Sequence, residues 1–183
     1  MSSLRENNMK SYRFSPIKSK EQLFQAITHT HFACFGLCTN AFGAYLPIAG
    51  NMGIFCHYED EYELLTKIRE ELTHPSDNPN QKYFRLREPV TIPPRDGVPE
   101  TIYTHLYIRR PNINSTQVGD VDFVLDDEKY IELKKSLQGG AQIKGAKIFD
   151  RPDLDMVELS DPEVDALAYI STKVMTEKVR IKQ

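Results

Sequence analysis

Four side chains in the second half of the chain pose the chemical question: His105, Asp120, Asp122 and Glu158. Asp120 and Asp122 stand two residues apart in Gly119-Asp120-Val121-Asp122-Phe123-Val124-Leu125, whose apolar members alternate as a half-buried strand requires. Side chains alternate faces along a strand, so Val121, Phe123 and Leu125 share the core face, and Asp120 and Asp122 point the other way with Val124. In 102–109, Ile102, Thr104, Leu106 and Ile108 form the apolar set, which groups Tyr103, His105, Tyr107 and Arg109 opposite. In 155–159, Val157 and Leu159 are the apolar pair, so Met156 and Glu158 face away from the core and Asp155 towards it. If these strands share a sheet, one face gathers three carboxylates and an imidazole, a donor set suited to a divalent ion such as Zn, Mn, Fe or Mg. Glu158 is then the candidate base. Tyr107, Arg109 and Arg110 are the candidate substrate contacts, the guanidinium groups suiting an anionic ligand or pairing with the acids. The plainer reading is the solvated outer face of a sheet covered on one side.

A second string, His29, His31, Cys34 and Cys38, places His31, Cys34 and Cys38 on one face of a helix, where zinc is conceivable. The spacing matches no standard zinc pattern, and buried helical cysteines are the ordinary alternative. Neither a glycine-rich phosphate loop nor a G-x-S-x-G elbow is present.

The elements that must carry these residues follow from periodicity and punctuation. Residues 1–18 read as a flexible basic tail. Ser19-Lys20-Glu21-Gln22 is a capping-box pattern, and Leu23, Phe24, Ile27, His31 and Phe35 follow at helical spacing, giving a helix over 20–32. Strands are expected at 51–58, 82–92, 101–109, 118–125, 144–149 and 155–159. Helices with acidic starts are expected at 59–73 and 126–137. A short helical turn at 162–168 and an edge strand near 179–182 complete the reading. At 183 residues, 40% hydrophobic and 27% charged, the chain suits one domain with a real core. A net charge of −3 and a pI near 6.0 argue against general nucleic-acid binding. No apolar run is long enough to span a bilayer and the N-terminus has no signal-peptide pattern, so a cytoplasmic protein is expected. Three cysteines do not make a disulfide framework.

The chain echoes itself at an offset of 69 residues: Gly50-Asn51-Met52-Gly53-Ile54-Phe55-Cys56 falls on 119–125, and Tyr62, Glu63, Leu64 and Ile68 fall on Ile131, Glu132, Leu133 and Leu137. Any two strand-to-helix units look partly alike, so the echo by itself is compatible with chance. Together with Arg151-Pro152-Asp153-Leu154-Asp155-Met156-Val157-Glu158-Leu159, the segment 119–162 resembles the second half of vicinal oxygen chelate proteins, the superfamily of glyoxalases, extradiol dioxygenases and antibiotic-resistance proteins.

The resemblance covers about 110 residues, over 50–162. It implies an α+β fold in which two related βαβββ-like modules form a cupped, mainly antiparallel sheet, helices outside, with an N-terminal helical extension. The implied division is extension 19–49, first module 50–117, second module 118–162 and C-terminal tail 163–183. Carried over by position, the family's metal ligands fall on Asn51, His105 or Tyr107, Asp120 and Glu158. Asn51 is a weak ligand, Asp120 stands where histidine is frequent, and Leu154 stands where the family's hairpin has glycine. The implied function is small-molecule binding, or metal-dependent lyase, isomerase or dioxygenase-like chemistry, in the cup. A non-catalytic ligand-binding or protein-interaction module is the alternative. The run 119–123 also resembles the Asp-x-Asp strand of nucleotidyltransferases, where Asp120 and Asp122 would hold Mg²⁺ for phosphoryl transfer; Arg110-Pro111-Asn112 stands where that family has a Gly-Ser turn. The partners expected are a small molecule and, if a second subunit closes the cup, another copy in a homodimer.

Overall fold

The computed structural model describes residues 11–182. In chain order the elements are α1 (Lys20–Phe42), β1 (Ile48–Phe55), α2 (Glu59–Leu72), β2 (Phe84–Ile92), β3 (Thr101–Arg109), β4 (Gly119–Leu125), α3 (Asp127–Gln138), β5 (Ala146–Arg151), β6 (Leu154–Leu159), β7 (Ala166–Thr172) and α4 (Lys173–Lys178). The strands form one seven-stranded sheet in the order β2-β3-β1-β4-β7-β6-β5. β1 runs parallel to β3 and β4 parallel to β7, while every other neighbouring pair is antiparallel. The fold is the expected α+β arrangement, an open curled sheet with its long helices outside.

The two halves repeat one plan. Each begins with a central strand, passes through a helix, and returns through an antiparallel neighbour to a strand parallel with the first: β1-α2-β2-β3 and β4-α3-(β5)-β6-β7. The first strands lie side by side and antiparallel, as a two-fold relation between the halves requires. The sequence offset carries Met52 onto Val121, and those two residues face each other across β1 and β4. The second half has one strand more, β5, at the sheet edge.

Local chemistry accounts for the element ends. The Ser19 hydroxyl accepts from the Gln22 amide, and α1 ends at Gly43, whose φ of 68° is the left-handed cap that glycine adopts without strain. α1 is therefore ten residues longer than the expected 20–32; its aromatic second half, ambiguous with a strand in sequence, packs Cys34, Phe35 and Cys38 onto the sheet. β7 is the larger correction. Pro162–Ala168 reads locally as a helical turn, yet Ala166 to Thr172 is an interior strand between β4 and β6, extending the second half beyond 162. Ala166 and Ala168 are fully buried, and Cys34 Sγ on α1 donates to Leu167 O, so small side chains let the helix approach.

Residues 12–18, expected in the tail, are docked. Glu61, buried at the start of α2, accepts from Ser15 Oγ, Ile17 N and His57 N, and Tyr12 stacks on His57. The earlier part of the expected tail, 1–10, lies outside the described residues. No described helix is long and apolar enough to cross a membrane.

Candidate functional site

β4 is buried on both faces. Val121 and Phe123 join the core under α1, and Asp120 and Asp122 face the concave side, as alternation requires. They are not solvated, however: Asp120 is 8% and Asp122 4% exposed. What covers them is the C-terminal segment. α4 crosses the concave side, opposite the three long helices, and residues 179–182 follow it as a strap. Asn51 Nδ2 donates to Asp122 Oδ2 and to Thr176 O, at 2.9 Å each, while Arg180 Nε donates to Asn51 Oδ1 at 2.8 Å and Arg180 Nη2 to Ala49 O. The strap is pinned from its other side by 80–83, because Lys82 N and Tyr83 N donate to Arg180 O and Lys182 N donates to Asn80 O. Instead of an edge strand, the tail is this closure, with an isolated antiparallel bridge between Ile181 and Gln81.

Burial raises both aspartates above the ordinary carboxylate range, and the Asp122 charge adds to the rise at Asp120. Lys82, Arg109 and a hydrogen bond from the Tyr83 hydroxyl oppose the shift at Asp120, and the Asn51 hydrogen bond opposes it at Asp122. Close approach is built in: a Cβ at Gly53 would collide with the Asp120 carboxylate, so glycine is required opposite it.

The remaining expected site residues spread across the cup. Glu158 faces the concave side with Met156, as expected, but Tyr169 stands between it and Asp122: both residues are cross-strand partners of Tyr169. Two strand spacings put them roughly 10 Å apart, and Glu158 turns to Lys147, whose Nζ is 3.8 Å away. Asp155 lies on the helix side and takes bonds from Tyr130 Oη and Lys134 Nζ of α3. His105 lies beside Asn51 in the sheet, with its Nδ1 held 2.9 Å from Thr104 Oγ1. Burial, with Arg180 and Arg85 near, holds the His105 imidazole down at about 4.

The Thr104–His105 contact marks a slip in alternation. Sequence neighbours in a regular strand point apart, so here the strand is irregular, and the β2–β3 register shifts at the same place. Ile102 is consequently 48% exposed, while Tyr103, expected on the polar face, is buried with its hydroxyl 2.7 Å from His31 Nδ1. Beyond the slip, Leu106 and Ile108 are in the core and Tyr107 and Arg109 on the cup side, as read.

Among the described residues no three of His, Cys, Asp and Glu converge as a metal cluster. Asn51, the carried-over ligand on β1, already uses its amide oxygen and its amide nitrogen. The helical string has separate partners: His29 pairs with Asp165, His31 with Tyr103, Cys34 with Leu167 O and Cys38 with Ala44 O.

A groove of about 660 Å³ opens at the mouth of the cup. Tyr107 and Arg110, two of the expected substrate contacts, line it together with Lys82, Arg151, Leu154 and Val179, so both halves and the strap contribute. Arg109, the third, lies back from it with its guanidinium 3.4 Å from the Phe55 ring centroid. Its Nε and Nη2 are buried and donate to no partner among the described residues. Sequence reading missed Tyr83, Tyr169 and Arg180. Tyr169 was hidden by the misread β7, although the two-fold relation makes it the counterpart of Tyr107.

No protein-family model matches the chain, and no curated protein matches it. Among solved structures, one titled "Structural Genomics, Protein EC4020" shares the fold, with a TM-score of 0.55 and 14% identity over 87% of this chain and 90% of that one.

Proposed function

We propose that the protein binds a small molecule in the groove at the cup mouth, and that it is built on the plan of vicinal oxygen chelate proteins. The observation that carries the binding reading is the groove itself: about 660 Å³, lined from β3, the β5–β6 hairpin, the 79–82 loop and the C-terminal strap. That size lies in the ordinary range for ligand pockets. The strand order, with antiparallel first strands at the centre, supports the family plan. Binding without chemistry is favoured over a metal-dependent lyase, isomerase or dioxygenase. Glu158 is separated from Asp122 by Tyr169, and Asn51 is fully engaged in hydrogen bonds. A nucleotidyltransferase reading needs a third carboxylate beside Asp120 and Asp122, and Asp155 and Glu158 both turn to lysines instead.

A thermal-shift screen of metabolite-sized compounds tests the reading. A ligand at a hundred times its Kd adds about 2.7 kcal/mol of stability, which for a chain of this size raises Tm by roughly 5–10 °C. Leu154→Glu, which places a charge in the groove wall, should abolish the shift of any such ligand. Shifts that survive Leu154→Glu would place the ligand elsewhere, and a screen with no hits would defeat the proposal.

A further inference from the structure

We infer that the ligand of this groove is a compact polyanion, a small molecule bearing a phosphate or two or more carboxylates; the inference rests on the binding reading above. The chain as a whole carries a net charge of −3. The groove reverses that sign, since its lining holds Lys82, Arg110, Arg151 and Lys182 against Asp153 alone. These cations come from four separate places in the chain, so a local basic run does not explain their meeting. Some cations elsewhere sit against carboxylates, Arg13 with Asp165, Lys134 with Asp155 and Lys147 with Glu158. None of the four groove cations has a carboxylate within ion-pair distance among the described residues. Three rest on aromatic faces instead, Lys82 Nζ 4.8 Å from the Tyr107 ring centre, the Arg110 guanidinium 5.5 Å from that of Tyr62 and the Arg151 guanidinium 4.8 Å from that of Phe149.

Like charges brought together repel, and an anion bound among them relieves that repulsion. Arginine forks and lysine ammonium groups together suit phosphate or carboxylate oxygens through charge-assisted hydrogen bonds. The open groove has room for one compact molecule, and the Tyr62 and Tyr107 rings offer faces for its uncharged part.

Isothermal titration of the full chain with inorganic pyrophosphate and, separately, with citrate tests this. At least one should bind with one-to-one stoichiometry, weakening with added salt. Arg110→Gln and Lys82→Gln should each reduce affinity about tenfold, the loss of one charge-assisted bond. Lys147→Gln, outside the groove, should leave affinity unchanged, and circular dichroism should show all three variants folded. Preference for pyrophosphate identifies a phosphorylated ligand, and preference for citrate a carboxylated one. If Lys147→Gln weakens binding as much as Arg110→Gln, the attraction is diffuse and the inference fails. If neither anion binds while uncharged compounds bind and are lost in Leu154→Glu, the polyanion class is wrong and the groove remains the site. If neither anion nor any uncharged compound binds, the site reading falls with it.

Discussion

Asp120 and Asp122 are two carboxylates on one strand face, both buried, and their electrostatics define a measurable signature. Each has a folded-state pKa raised by burial. Between the ordinary carboxylate range and neutrality the folded protein therefore holds protons that the unfolded chain has released. Stability from this pair is fully present at low pH and is lost as pH rises through the folded values. His31 and His105 act with the opposite sign: burial lowers each to about 4, so their contribution is gained as pH rises from there towards the ordinary histidine value. The wild-type curve is the sum, and Asp120→Asn separates it. Urea midpoints should show this variant gaining on wild type between about pH 5 and about pH 8, by about 1 kcal/mol or more. A difference that is flat across that range would show that Asp120 is ionised throughout. Gly53→Ala should be costly at every pH, because the new methyl group displaces the Asp120 carboxylate.

At the scale of elements, the strap governs whether the cup floor sees solvent. Asn51 joins β1 to Asp122 on β4, to Thr176 on α4 and to Arg180 beyond it. Asn51→Ala leaves all three without that partner, and chemical denaturation should show a loss of about 2–4 kcal/mol. Hydrogen exchange should accelerate first over 173–182; uniform acceleration would show that the strap opens only with global unfolding. These contacts join residues more than seventy positions apart, which is why the sequence left them unread. What could be read was local alternation. Val121, Phe123, Met156 and Glu158 lie on the faces their neighbours assign, and Asp155 on the helix side as expected. Alternation failed where the backbone departs from it, at Thr104–His105, and where an element carries no contrast between its faces, as in β7. There Ala166, Ala168 and Ile170 are buried on one face and Leu167 and Tyr169 are partly buried on the other. The helix α1 was under-read for a related reason. Beyond Phe32 its residues are mostly apolar or aromatic in a pattern that local sequence does not distinguish from a strand, and tertiary burial under the sheet decides the matter.

The whole molecule is two copies of one plan that neither half completes alone. β1 and β4 are interior strands, each with a partner on either side, and each would become an exposed apolar edge if the halves separated. α1 seals the boundary from outside, with Phe35 against Phe123, and the Asn51 network seals it from inside. The echo at an offset of 69 residues was visible in the sequence because the first strand and helix of each half do the same work. It stopped there because the return strands β3 and β7 lie in different sequence contexts, one after a long bulged hairpin and the other after an added strand. This arrangement predicts one cooperative transition. Ile54, fully buried on β1, contributes to the common core, so Ile54→Ala should lower stability by about 2–5 kcal/mol. The loss should appear equally in the far-ultraviolet dichroism and in tyrosine fluorescence, whose nine tyrosines include Tyr83, Tyr103 and Tyr107 in the first half and Tyr130 and Tyr169 in the second. Coincident transitions mean that the boundary strands bind the halves into one folding unit. Two separated transitions, with only the earlier one moved by Ile54→Ala, would mean that the second half keeps its fold without the first, and that the groove depends on the docking of two independent domains.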